Sequence, residues 1–209
     1  MDHMIVKELD KLKLIFNKSL GGAVAVFGEM LSRQVTVTTP VIKVIEFSDL
    51  SYIFGGSNKI VSAIYSAYTG EGACRGEMKS LSGRMLLTFK IESAYEMVAI
   101  LTEGLEVPLD RLDEMTNSIF SEIGNVFCTS FLSSLANAAG VKLRPDVPSV
   151  INYKATSILE FVKHKMVDIK SPVLLMQTAL SSDGHTVEGN FMLIPDDVNA
   201  ISIFLANMH

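Results

Sequence analysis

Apolar residues recur at three- and four-residue steps through residues 5–33, at Leu9, Leu12, Ile15, Phe16, Leu20, Ala23, Val24, Phe27, Met30 and Leu31. That spacing lays one stripe along an α-helix. Gly21, Gly22 and Gly28 lower its intrinsic helicity, so tertiary packing has to hold it. The pattern then turns extended. Val35–Val37 and Val41–Ile45 read as strand broken by Pro40, Ile60–Tyr68 and Cys74–Met78 as strands around a turn at Gly70-Glu71-Gly72, and Gly83–Phe89 as a further strand. Ser93–Leu101 reads as a short helix, and Gly104-Leu-Glu-Val-Pro108 as a linker. The helical period returns over 110–139, with Asp110 placed to cap its first turn and Gly140 to end it. Beyond it, Ser149–Tyr153 is extended, and 155–166 fits helix or strand. Val173–Leu180 and Glu188–Ile194 pair around Ser182-Asp183-Gly184, and Asp196–Met208 is helical.

The same order occurs twice: long helix, extended segment, paired strands, short helix. Asn17 and Asn125 lie 108 positions apart, as do Pro40 and Pro148, and Leu31 and Ala139 end the long helices at that same spacing. Gly83-Arg-Met-Leu-Leu-Thr88 parallels Gly189-Asn-Phe-Met-Leu-Ile194 at a spacing of 106. Ordered matches of this kind point to an internal duplication. The expectation is one α+β domain over 1–209, built from repeats at about 5–104 and 108–209. It has an antiparallel sheet, and two long helices share one outer face.

Composition narrows the function classes. Hydrophobic residues make up 48% of the 209 and charged residues 20%, which supports a large core. The net charge is −5 with no Lys/Arg cluster, so neither a nucleic-acid groove nor attraction to an anionic membrane is expected. No uninterrupted apolar run is long enough for a membrane span, and the N-terminus lacks the pattern of a signal peptide. Cys74 and Cys128, the two cysteines, form no CxxC pair and combine with the four histidines into no zinc spacing. Both read as reduced small hydrophobes in a cytoplasmic protein.

On a helical wheel of 112–135, Leu112, Ile119, Phe120, Ile123, Val126, Phe127, Phe131 and Leu135 fill one arc. Ser118, Glu122, Asn125 and Thr129 line the opposite side. Gly124 falls within the apolar arc and reads as a packing residue. An amide has no basicity but can orient water, and a carboxylate can pair with a cation. With no nucleophile beside a base, the Glu-x-x-Asn pair suits a group that enters another protein's active site and positions water there. A wet polar helix face that is merely solvated has the same spacing.

The stretch Ser118-Ile-Phe-Ser-Glu122-Ile-Gly-Asn125 and its helical tail resembles the active-site helix of the CheC/CheX/FliY phosphatase family. That family's pattern is Asp or Ser, three residues, Glu, two residues, Asn. Lys142–Val150 resembles the strand that follows it in the family. Residues 10–48, including Met30-Leu-Ser-Arg-Gln-Val35, resemble the family's first copy of the motif. The resemblance covers nearly the whole chain, and the length matches CheC. It implies a substrate, the phosphorylated receiver protein CheY or a homologue. It implies that Asn125 orients the attacking water and that Glu122 engages the receiver's active-site lysine. The magnesium ion is then held by the receiver, and no cofactor is expected in this chain. CheD, a receptor deamidase, is implied as a possible second partner.

In the first copy, Asp10 and Asn17 occupy the outer positions, but Leu14 stands where the glutamate is expected and Phe16 replaces the glycine. That copy is expected to be inactive or very weak. Two other readings keep the fold without turnover. One is an adaptor for CheD or phosphorylated CheY; the other is a flagellar-switch component, since the FliM middle domain resembles this fold.

Overall fold

The computed structural model describes residues 3–31, 34–38, 41–74, 77–101, 114–166, 172–182, 184–197 and 199–206. The chain opens with helix α1 (His3–Leu31), followed by strands β1 (Thr36–Val37) and β2 (Val41–Ile45). A 3-10 turn (Phe47–Asp49) and the short helix α2 (Leu50–Ile53) lead into the long strands β3 (Ile60–Cys74) and β4 (Glu77–Lys90), then helix α3 (Ile91–Leu101). Helix α4 (Glu114–Ala139) starts the second half. It is followed by β5 (Lys142–Pro145), β6 (Ser149–Lys154), α5 (Ala155–Lys165), β7 (Val173–Ser182), β8 (His185–Pro195) and α6 (Asn199–Ala206). The segment open between helix and strand is thus the helix α5. The expected linker at 104–108 and the cap at Asp110 lie outside the described residues.

The eight strands of the described residues form one antiparallel sheet. Its order from one edge is β1 and β2, then β7, β8, β4 and β3, then β5 and β6. Each strand of one half meets its counterpart at the mirrored place, so the sheet has a pseudo-two-fold axis at its centre. There β4 and β8 pair with Gly83 opposite Pro195, Leu86 opposite Met192 and Phe89 opposite Gly189. Leu86 and Met192 are 106 positions apart, the spacing of the two matched segments, and they sit at the middle of the paired stretch. The first two strands of each half pair with the third strand of the other half. The halves therefore share one sheet and cannot fold as independent sheets.

Both faces of the sheet are covered, which is why Val173–Met176 and Phe191–Ile194 are continuous buried apolar runs rather than alternating ones. On one face, Ile64, Leu87, Met176 and Phe191 pack with Phe16 and Leu20 of α1, Phe127 and Phe131 of α4, and residues of α3 and α6. On the other, Ala63, Leu86, Leu175 and Met192 pack with Phe47, Leu50 and Phe54 around α2 and with Ile158 and Val162 of α5. The Arg84 guanidinium reaches the Asp196 carboxylate at 3.1 Å, and it also donates to the backbone carbonyl of Lys165, tying the end of α5 to the sheet.

The turn expected at Gly70-Glu71-Gly72 is a correction. β3 runs through it, pairing Gly70 with Leu81 on one side and with Leu143 on the other. These glycines mark close approach. A Cβ on Gly70 would stand 1.9 Å from the Lys142 carbonyl oxygen, and one on Gly72 would stand 2.6 Å from Val141 Cγ1. Gly70→Ala is therefore expected to destabilise the protein by about 2–3 kcal/mol, because the neighbour is backbone and cannot turn aside. Gly21, exposed on α1, has nothing within 4 Å of an added Cβ. Gly21→Ala should stabilise by ~0.5–1 kcal/mol through helix propensity. Urea unfolding followed by circular dichroism measures both.

Candidate functional site

Helix α4 ends in a Schellman motif. Gly140 adopts φ 60°, open to glycine without a Cβ penalty, and the Val141 N–H donates to the Ala136 carbonyl at 3.0 Å. Phe120, Ile123, Phe127, Phe131 and Leu135 are buried along the inner side. The Phe131 ring lies 4.3 Å from that of Phe191 in β8 and 5.8 Å from that of Phe16 in α1, so it is wedged between sheet and neighbouring helix. Gly124 lets the helix backbone settle on β3, since a Cβ there would stand 2.4 Å from Ile64 Cγ2. These contacts fix the rotation of α4 about its own axis.

With that rotation fixed, Ser118, Glu122, Asn125 and Thr129 all face solvent. Across its 26 residues α4 carries two charged side chains, Glu114 and Glu122. Its outer side is otherwise built of Ser, Thr and Asn, so Glu122 is the one charge in the row of Ser118, Glu122, Asn125 and Thr129. Among the described residues neither Glu122 nor Asn125 has a hydrogen-bonding or ionic partner within the chain. Beside the row, Asn117 Oδ1 accepts from Asn152 Nδ2 at 3.2 Å, joining α4 to β6. Cys128 lies on the inner side, and burial pushes its thiol up to about 12, so it supplies no nucleophile. Among the described residues no group of three or more His, Cys, Asp or Glu side chains gathers where it could hold a metal.

By length and composition, Asn117–Ala139 could cross a bilayer, but half of the stretch tested is buried within the fold. Its free side is the polar row, which is the pattern of a core helix.

The corresponding row on α1 differs in more than one residue. Asp10 is exposed and pairs with Lys13 at 3.1 Å, and Leu14 projects with 71% exposure. Asn17 is half-buried, with its Oδ1 covered and unpartnered, so it does not present the free amide that Asn125 does. Phe16, at the place of Gly124, is fully buried against Phe131. The Leu14 difference was legible in the sequence; the covered Asn17 was not. Sequence reasoning also passed over Val147, which stands beside α4 with 88% exposure between two prolines, a flanking that signals a fixed loop.

The architecture is an α+β sheet with paired long helices, of the kind found in CheC-like proteins. No family model matches the chain. It is 22% identical to the CheY-P phosphatase CheC of Bacillus subtilis (strain 168) over 204 residues, 96% of this chain and 93% of that protein. FliY of Thermotoga maritima superposes with a TM-score of 0.75 at 18% identity, covering 97% of this chain and 98% of that one. The FliM middle domain of Vibrio alginolyticus gives 0.64 at 12% identity over 93% and 99%. A chain of the CheX–CheY–BeF3–Mg2+ complex from Borrelia burgdorferi gives 0.53 at 19% over 86% and 96%. Along nearly its whole length the chain is similar in sequence to a CheC protein, and its fold is the CheC-like fold.

An exposed row that serves a partner should not matter to folding. Glu122→Ala and Asn125→Ala are expected to leave stability within about 0.5 kcal/mol of the wild type, whereas Gly124→Ala between them should cost ~1–3 kcal/mol. Thermal unfolding of the three variants checks this.

Proposed function

We propose that the chain is a phosphatase for the aspartyl phosphate of CheY-type receiver domains, with Glu122 and Asn125 as its catalytic residues and Ser118 and Thr129 supporting them on the same face. The observation that carries the proposal is the pairing of a carboxylate with an amide, one turn apart on the outer side of α4, without partners of their own among the described residues. Both are exposed by a helix whose rotation the core fixes, so they are presented without reorganisation. Glu122 pairs with a cationic side chain of the receiver. The Asn125 amide holds a water in line with phosphorus; the water attacks, and the aspartate carboxylate leaves. No base on this chain is required, because the carboxylate is a good leaving group and the proton of the attacking water passes to a phosphate oxygen as the bond to the aspartate breaks. The magnesium ion belongs to the receiver. The likeness to a CheY-P phosphatase over nearly the full chain supports this substrate class and, with it, action in the cytoplasm. The proposal takes the chain as one domain of two repeats, about 5–104 and 108–209, with the first site silent.

A second reading keeps binding without turnover, as an adaptor for the receiver or for CheD, or as a switch component of the FliM kind. The α1 row favours it, since Leu14 and the covered Asn17 show a motif face persisting without its chemistry.

Decay of phosphorylated CheY separates the two. Wild-type protein should accelerate it, and Asn125→Ala and Glu122→Ala should each remove at least about tenfold of that acceleration, ~1.4 kcal/mol. Leu14→Glu in the Asn125→Ala background should not restore turnover, because Asn17 stays turned in. Unchanged decay at saturating wild-type protein, with retained binding, would establish the second reading.

A further inference from the structure

The loop between β5 and β6 stands beside the polar row, and its middle residue has no structural task. Asp146 is pinned in both directions to β3: its N–H donates to the Ala67 carbonyl at 2.8 Å, and its carbonyl accepts the Ser66 hydroxyl at 2.8 Å. Pro148 is buried against α4, 3.4 Å from where a Cβ on Gly124 would lie, and Gly124 immediately precedes Asn125. Pro145 on one side pairs with Tyr68, and Ser149 on the other with Tyr65. Between these fixed points Val147 points outward with 88% exposure, the highest of the large apolar side chains among the described residues.

A single exposed apolar residue is ordinary on a protein surface. This one is unusual because the backbone on both sides of it is held. A mobile loop would lose conformational freedom when a partner covered it, at a cost of order 1 kcal/mol or more per residue. Here that ordering has been done by folding, so burial of the isopropyl group on docking is opposed by little.

We infer that Val147 is a docking and specificity residue of the site: a preformed apolar knob that seats against an apolar side chain on the rim of the receiver's active site while Glu122 and Asn125 enter it. The inference rests on the phosphatase reading. The receiver is the occupant because the loop that carries Val147 packs on the same helix that carries the row. Pro148, the chain neighbour of Val147, packs at Gly124, the chain neighbour of Asn125, so a partner seated on Asn125 has Val147 within its reach. The knob widens the contact beyond the helix and adds an apolar element that a receiver with a charged rim would not satisfy.

The test uses the full chain with a CheY-type receiver, as the phosphorylated protein for turnover and as the beryllofluoride–magnesium form for affinity. Val147→Asp is expected to weaken binding of the beryllofluoride form and raise KM about tenfold, with kcat and thermal stability unchanged; Val147→Ile should behave as wild type. Tyr52, also highly exposed but on α2 across the sheet, is the control, and Tyr52→Ser should change nothing. Unaltered KM and affinity in Val147→Asp, with turnover abolished by Asn125→Ala, would overturn the docking role and leave the phosphatase reading standing. Full turnover in Asn125→Ala would overturn the role of Asn125, and no turnover by the wild type would overturn the phosphatase reading; in either case the affinity of Val147→Asp judges the knob alone. A change in self-association without a change in receiver affinity would assign Val147 to a second copy of this chain and also overturn the inference.

Discussion

Everything at the site follows from how Phe131 is wedged between Phe191 of the sheet and Phe16 of the neighbouring long helix. A helix has one free rotation when it lies on a sheet, and three rings in contact remove it. Gly124 adds a second constraint, because the backbone there sits directly on Ile64 and any side chain would lift it. With the inner side fixed at two points, the direction of the outer side is set by helical geometry alone. Glu122 and Asn125 are exposed because Phe120, Ile123 and Phe127 are buried, and no contact of their own is needed to hold them outward.

The pseudo-two-fold sheet gives the same opportunity to α1, and the two helices have used it differently. At the central axis the correspondence is close, with Leu86 facing Met192. Away from it the halves diverge. Arg84 and Asn190 occupy matching places in β4 and β8, yet Arg84 reaches the end of the eleven-residue α5, while Asn190 accepts a hydrogen bond from Gln177 on the side of the four-residue α2. The same divergence marks the long helices. Where α4 has a glycine that admits the sheet, α1 has the ring of Phe16; where α4 offers a free amide, α1 covers it. A shared backbone therefore constrains where a site can be, while the residues at its corners decide whether it holds one.

These differences also separate what the sequence discloses from what it hides. The helical stripes of α1 and α4 and the polar row were legible, because local periodicity decides which side of a helix is buried. The matched segments around Gly83 and Gly189 were legible as a repeat, since they lie at the sheet's centre, where both halves meet the same environment. Gly70 and Gly72 were misread as a turn because a glycine needed for close approach looks the same in sequence as one needed for a reversal. What distinguishes them is the carbonyl of Lys142, some seventy residues away. The covering of Asn17 and the bridge from Arg84 to the end of α5 depend likewise on contacts between distant segments.

The chemistry of the outer row is limited in a way that constrains its use. A carboxylate and an amide on a helix with no reactive thiol, and with no cluster of metal-binding side chains among the described residues, cannot by themselves break a phosphate bond. What they can do is complete a site that lacks only an oriented water. Such a contribution needs little area but strict placement, because a water displaced by a fraction of its own diameter loses its line of attack. A rigid helix laid on a sheet offers that placement, and a loop pinned alongside it can set the approach angle of the partner. The physical investment in this fold is in fixing α4, and that fits the proposed role, in which the reactive phosphate is carried by another molecule.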